Sequence, residues 1–437
     1  MKGHLPVHKS SFDFTTERER SMLTLGIPAI VVGVAAAIIL ALVVAAANLL
    51  QKFLWQTLPA SFGATAATWW WVLGVLTLTG LVVGLVVRFV PGHAGPDPAT
   101  IELFGEPTPL FVLPGLVLAL VIALAGGVSL GPENPIIATI VGIVVAVGTR
   151  LIPRVPAKGW VMLAAAGTIG AMFGTPVAAA LLFSEMVATG NKDKPVWDQL
   201  FGPLVAAGAG GLTMAQFEEL SFALPIQPYT QPTLIDIGVG ILVAIAAVAI
   251  GMIAVWLFPI FHRLFKSMGN VVLAMTVGGF LLGLLGILGG PITMFKGLGE
   301  MKLLTTNVAD YSILAMAMVI VIKLLAILVS ATCGFRGGRI FPMVFVGVAF
   351  GLLVHQVFPS VPGALTVACS VLGFTLVVTR DGWLSLFMGV VMIPGTELLP
   401  LLCVAVLPIW LLLAGRPLML VEPESGGPPV RASRTSS

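Results

Sequence analysis

The sequence predicts an all-α polytopic membrane protein, and three observations carry that prediction. Only 9% of the 437 residues are charged, where a soluble domain needs about a quarter to clothe its surface. Hydrophobic residues make up 58% and mean hydropathy is +1.08, a balance that excludes a soluble globule, a nucleic-acid binder and a disordered chain. The charges gather at the ends and in short loops. They leave charge-free stretches at 21–51, 53–87, 107–132, 134–149, 159–184, 237–261, 267–295, 340–379, 382–396 and 398–415.

In chain order, residues 1–20 form a polar segment ending in Glu17-Arg18-Glu19-Arg20. With Lys2, Lys9, Arg18 and Arg20 beside the first span, basic residues place this segment, and with it both termini, in the cytoplasm. The first apolar run is far longer than the core of a cleavable signal peptide. Several later runs suit spans of about 20 residues. Others are short or broken at Gly131-Pro132-Glu133-Asn134-Pro135, Gly174-Thr175-Pro176, Gly289-Gly290-Pro291 and Pro394-Gly395. Backbone that leaves the helix inside a bilayer must be buried in protein or line a wet cavity. Breaks of this kind point to a transporter or channel. Two apolar halves, 21–216 and 233–420, flank a polar linker at 217–232, and each has a glycine-proline break, 131–135 and 337–342. This is the pattern of an inverted repeat with its site between the halves. Glycine-rich stretches at 205–211 and 281–290 suit close helix packing. Residues 421–437 read as a disordered polar tail.

No metal or cofactor is expected. The five histidines show no paired spacing, and Cys333, Cys369 and Cys403 read as small core residues. The candidate chemistry lies in the breaks. Glu133 stands at the start of a helix running to about Leu151, where unbonded amides favour an anion. Its carboxylate either takes the anion's place or merely caps its own helix. Glu185 ends an apolar helix and is a functional candidate on cost alone; the alternative is an interfacial side chain reaching water beside the polar residues 191–193. Gly337-Gly338-Arg339-Ile340-Phe341-Pro342 offers a second set of helix-start amides. Arg336 and Arg339 make it electropositive, unless they simply face headgroups.

These residues resemble the CLC family of chloride channels and proton/chloride antiporters, as a divergent prokaryotic-type member without regulatory cytoplasmic domains. Gly131-Pro132-Glu133-Asn134-Pro135 is similar to the family's G-R/K-E-G-P motif, and Gly338-Arg339-Ile340-Phe341-Pro342 to its G-x-F-x-P motif, with Ile340 at the central Phe position. The segment from Thr175-Pro176 to Ser184-Glu185-Met186 resembles the one bearing the internal proton glutamate. Gly415-Arg416-Pro417-Leu418-Met419 resembles the family's Gly-Lys-Pro-Leu-Tyr segment. The resemblance implies about 18 tilted and broken helices in two inverted repeats. It also implies a homodimer in the cell membrane that moves small inorganic anions and protons, with Glu133 as gate and Glu185 as proton relay. Gly95, Asp97, Gly131, Pro132, Asn134, Arg339, Ile340, Phe341 and Met419 then fall at the anion site.

Two departures alter the inner site. The family's G-S-G-I-P loop corresponds to Ala94-Gly95-Pro96-Asp97-Pro98, so a glycine replaces the serine, and Met419 replaces the tyrosine. Both hydroxyl donors are gone, which predicts weak chloride binding. Proton-coupled antiport is the leading expectation and a passive anion channel of low chloride selectivity the alternative. A cation or organic-solute transporter, or a membrane enzyme, is a further reading from a different class. Few carboxylates within the spans count against a cation carrier, and the missing nucleophile–base and metal-ligand patterns count against an enzyme.

Overall fold

Apolar runs interrupted by glycine and proline leave the chain one regular structure to adopt, the helix, in pieces of unequal length. The computed structural model describes residues 17–101, 105–188, 195–217 and 222–422. The expectations for residues 1–16, 191–193, the middle of the linker and the tail from 423 lie outside the described residues. The first half contains α1 (Glu17–Lys52), which continues through a π-helical turn at Phe53–Thr57 into α2 (Leu58–Ser61), then α3 (Trp69–Phe89), α4 (Leu113–Ala125), α5 (Glu133–Leu151), α6 (Ala157–Phe173), α7 (Pro176–Ala188) and α8 (Val196–Met214). The second half contains α9 (Leu234–Lys266), α10 (Val271–Gly289), α11 (Leu298–Thr306), α12 (Ile313–Thr332), α13 (Ile340–Val357), α14 (Gly363–Thr379), α15 (Gly382–Val391) and α16 (Leu399–Leu413). Counting the run through α1 and α2 once gives fifteen α-helices among the described residues, with short 3₁₀ turns between several of them, in keeping with the expected count of about 18.

Among the described residues, seven helices are long and apolar enough to cross a membrane. The 36 residues of α1 extend about 54 Å at 1.5 Å each, so α1 must tilt or project beyond a hydrocarbon core of about 30 Å. Several helix starts are capped by side chains. Thr233 and Asp236 form a capping box on α9, and Asn270, Ser312 and Asp381 accept first-turn amides of α10, α12 and α15.

The core sits where α13 packs on α14. Residues 340–352 and 364–377 are buried on every side, as expected of helices with no polar stripe. Helices α9 and α12 cover this pair, with α15 and α16 closing over α14. In the first half α1, α6 and α8 form a bundle, and α3 crosses to pack along α10. That crossing needs glycine: a Cβ on Gly80 would meet the Met275 carbonyl, and one on Gly279 the Leu76 carbonyl. Cys333 and Cys369 are buried as expected, but Cys403 is exposed. It shares the outer face of α16 with Val404, Leu407 and Leu411, a face whose apolar character suits lipid or another chain rather than an interior.

The two breaks meet. Gly131 and Gly338 exchange both backbone hydrogen bonds, at 2.8 and 2.7 Å, in an antiparallel bridge. The starts of α5 and α13, one from each half, are thereby locked side by side.

Candidate functional site

Glu133 lies at this junction. Its side chain is 1% exposed, and Oε1 accepts from the Phe341 amide at 2.8 Å. A glutamate at the start of α5 therefore caps α13 of the other half. Oε2 is buried and has no hydrogen-bond partner. The carboxyl fits only because its neighbours lack side chains, since a Cβ on Gly131 or Gly338 would collide with it. Pro132 precedes it as the residue capping α5. Behind the α13 start, the Phe341 ring stacks on Phe222 at 6.1 Å and meets Phe173 at 5.8 Å. This aromatic layer and the buried Ile340 surround the site with apolar groups, and low polarity strengthens any electrostatic contact within it.

The loop resembling the serine loop is built differently. Gly92, His93, Ala94 and Gly95 all have positive φ, at 80°, 52°, 53° and 82°, a left-handed run unfavourable for the two non-glycine residues. Arg336 compensates: its guanidinium donates to the carbonyls of His93, Ala94 and Gly95 at 2.8–3.0 Å. The Gly95 amide is used as well, donating to Gly92 at 2.9 Å. Asp97 caps the following turn by accepting the Ala99 amide at 2.9 Å, and its other oxygen lies 2.8 Å from His262 Nε2. Burial alone would push the Asp97 carboxyl up. The His262 and Ala99 hydrogen bonds and the His262 and Arg336 charges outweigh this and hold it below the ordinary carboxylate range. Arg336 therefore shapes the loop, and neither Gly95 nor Asp97 offers a free donor to an anion.

Arg339 reaches across the same region. Its guanidinium donates to the carbonyls of Met419 and Ile101 and lies 5.3 Å from the Phe258 ring centroid. Met419 is 1% exposed, and its thioether supplies no donor. Arg339 thus ties residues 101 and 419 to the α13 start, and the Met419 carbonyl takes up part of its charge.

Two cavities touch Asn134, the residue after Glu133. One, of about 420 Å³, runs past Gly95, Pro98, Glu106 and Arg336. The other, of about 260 Å³, is lined by Arg339, Arg380, Asp381 and Leu418. Glu185 is on neither; its side chain is exposed on α7, and the charge that acts on it is that of Asp381. Sequence reasoning singled out neither Asp381 nor the buried Lys323. Lys323 did leave a signal, as the one charge between residues 311 and 335.

A family model described as voltage gated chloride channel matches residues 79–411. YfeO of Escherichia coli (strain K12 / DH10B), whose name classes it with ion-transport proteins, is 54% identical over 416 residues, covering 94% of this chain and 98% of its own. YfeO of Shigella flexneri (strain 8401) is likewise 54% identical over 416 residues. Among solved structures, a slow cyanobacterial Cl⁻/H⁺ antiporter aligns with a TM-score of 0.76 at 18% identity, covering 93% of this chain and 97% of that one. A CLC-type fluoride/proton antiporter aligns with a TM-score of 0.73 at 19% identity, covering 91% and 96%. At such identities the two structures speak for the fold alone, an all-α arrangement in which the long apolar helices are membrane spans. Matched over most of its length by the family model and aligned nearly end to end with YfeO, the chain belongs to the voltage-gated chloride channel family.

Proposed function

We propose that this chain moves small inorganic anions across the cell membrane in exchange for protons, with Glu133 as the gate. One observation carries the reading: an ionisable carboxyl, buried where the halves meet, rests on the Phe341 amide with its second oxygen unpartnered. A helix-start amide favours negative charge. The ionised carboxylate and an anion therefore compete for one place, and protonation removes the charge that holds the carboxyl there. The vacated amide is then open to an anion. The proton's other route would run from Glu133 past Asn134, along the cavity to Asp381, and on to Glu185, with which Asp381 interacts. The solved neighbours described as chloride/proton and fluoride/proton antiporters support exchange over simple passage.

One feature favours a second reading, passive passage of low chloride selectivity: among the described residues, no hydrogen-bonded chain links the exposed Glu185 to Glu133. The apolar outer faces of α8 and α16, with Leu212, Leu407 and Leu411, support a homodimer in which each subunit has its own path. Both termini are assigned to the cytoplasm on the basic residues beside the first span.

The test is flux in proteoliposomes with anion and pH electrodes reading the same vesicles. Glu133→Gln imitates the protonated gate. Anion flux should persist or rise in this variant, and proton movement driven by an anion gradient should vanish. Unchanged coupling would sink the assignment.

A further inference from the structure

The two cavities beside the gate have a single residue in common: Asn134 lines both, and no other residue does. It is the second residue of α5, joined to Glu133 through the chain, and is partly buried. The cavities adjoin at this residue, whose side chain has no hydrogen-bond partner among the described residues. A carboxamide carries two N–H donors and a carbonyl acceptor. Here they are left for whatever enters from either side.

The arginines on the two sides are anchored instead. On the larger cavity, Arg336 donates to the carbonyls of residues 93–95 and to that of Gly334 at 3.1 Å. On the smaller one, Arg339 is bonded to Met419 and Ile101, and Arg380 to Leu413 at 2.8 Å and Pro417 at 2.7 Å. Guanidinium groups so fixed set up a positive field over both cavities, and such a field raises the concentration of anions of every kind.

The remaining walls do discriminate. Ile137, Ala138 and Val141 on one side and Ile340, Leu384 and Leu418 on the other are apolar. An apolar wall is easily passed by an anion with diffuse charge, which gives up water readily. A compact anion loses strong bonds to water there and needs donors that replace them. Gly95 and Met419 supply no side-chain donor. Asn134 has donors to give, between the cavities and beside the gate.

We infer that the Asn134 carboxamide is a specificity-determining donor, which takes the anion between the two arginine-lined cavities and favours compact anions over diffuse ones. This role rests on the proposed anion passage and names the class of anion selected.

The experiment is chloride and iodide flux in proteoliposomes, with the same two halides titrated calorimetrically into purified protein. Chloride and iodide share charge and shape and differ in charge density. Asn134→Leu keeps the bulk and removes the donors. It should lower the ratio of chloride to iodide flux about threefold to tenfold, with weaker chloride binding in the calorimeter. Asn134→Gln keeps the carboxamide on a longer stem and should recover part of the ratio. Gel filtration and thermal melting check folding, and Asn134→Ala, with the same fall expected, replaces the leucine variant if that one fails. An unchanged ratio in a folded leucine or alanine variant overturns this role. So does a fall in Asn134→Gln as large as in Asn134→Leu, because shape and not the carboxamide then decides. Proton coupling that survives Glu133→Gln sinks the gate and leaves the halide ratio to decide Asn134. A wild-type protein that neither carries nor binds a halide defeats both.

Discussion

Asp97 illustrates how one side chain can fill the place of a ligand donor and do other work. Its two oxygens are engaged by Ala99 and His262, so its charge holds the loop together. Because its carboxyl is held below the ordinary range when folded, the stability it contributes is present above the unfolded value of about 4 and lost as pH falls through the lower folded value. Asp97→Asn should therefore lower the melting temperature in detergent by about 1–3 °C at neutral pH, a small effect because the side chain is half-exposed. The gap to wild type should narrow below about pH 4. A gap independent of pH would assign the contribution to packing. Glu133 stood out in the sequence as an acid inside a glycine-proline break of an apolar run, with capping of its own helix as the bland alternative. Its partner did not, since the Phe341 amide lies 208 residues away and backbone donors have no signature. Arg336 was legible only as a charge near the second break; its bonds to the carbonyls of residues 93–95 were hidden for the same reason, because backbone acceptors have no signature either.

At the scale of elements, the fold depends on helices approaching more closely than side chains allow. The α3–α10 crossing joins the two halves through Gly80 and Gly279, each facing a carbonyl of the other helix. Gly279→Val forces the helices apart or the side chain off its rotamer, at a cost of about 1–3 kcal/mol. It should depress the melting temperature and slow flux, and melting unchanged from wild type would show that the crossing has slack. The glycine-rich runs announced close packing from sequence alone. Which helices would meet was hidden, because a glycine specifies proximity without specifying a partner. The breaks at 131–135 and 337–342 did better: each was readable as a helix start opened toward a shared site, and the bridge between Gly131 and Gly338 is their meeting point.

At the scale of the molecule, anion and proton must share the gate yet leave it by routes set by different helices. Glu133 belongs to α5, Glu185 to α7, and the cavity beside Asn134 is also lined by Asp381, the residue that opens α15. If protons travel this way, two carboxyls in different halves serve one function. Glu185→Gln and Asp381→Asn should then each abolish proton movement driven by an anion gradient, while anion flux and its selectivity persist. The second substitution is a fair test because asparagine caps a helix about as well as aspartate. The bond that Asp381 accepts from the Leu384 amide, 2.7 Å long, should survive and α15 with it. Loss of coupling in Glu185→Gln alone would send the proton around the cavity by a path that avoids Asp381. Loss of anion flux in both folded variants would make these carboxyls part of the scaffold, and with no second proton-carrying group beyond Glu133 the passive reading would then describe the molecule better than exchange.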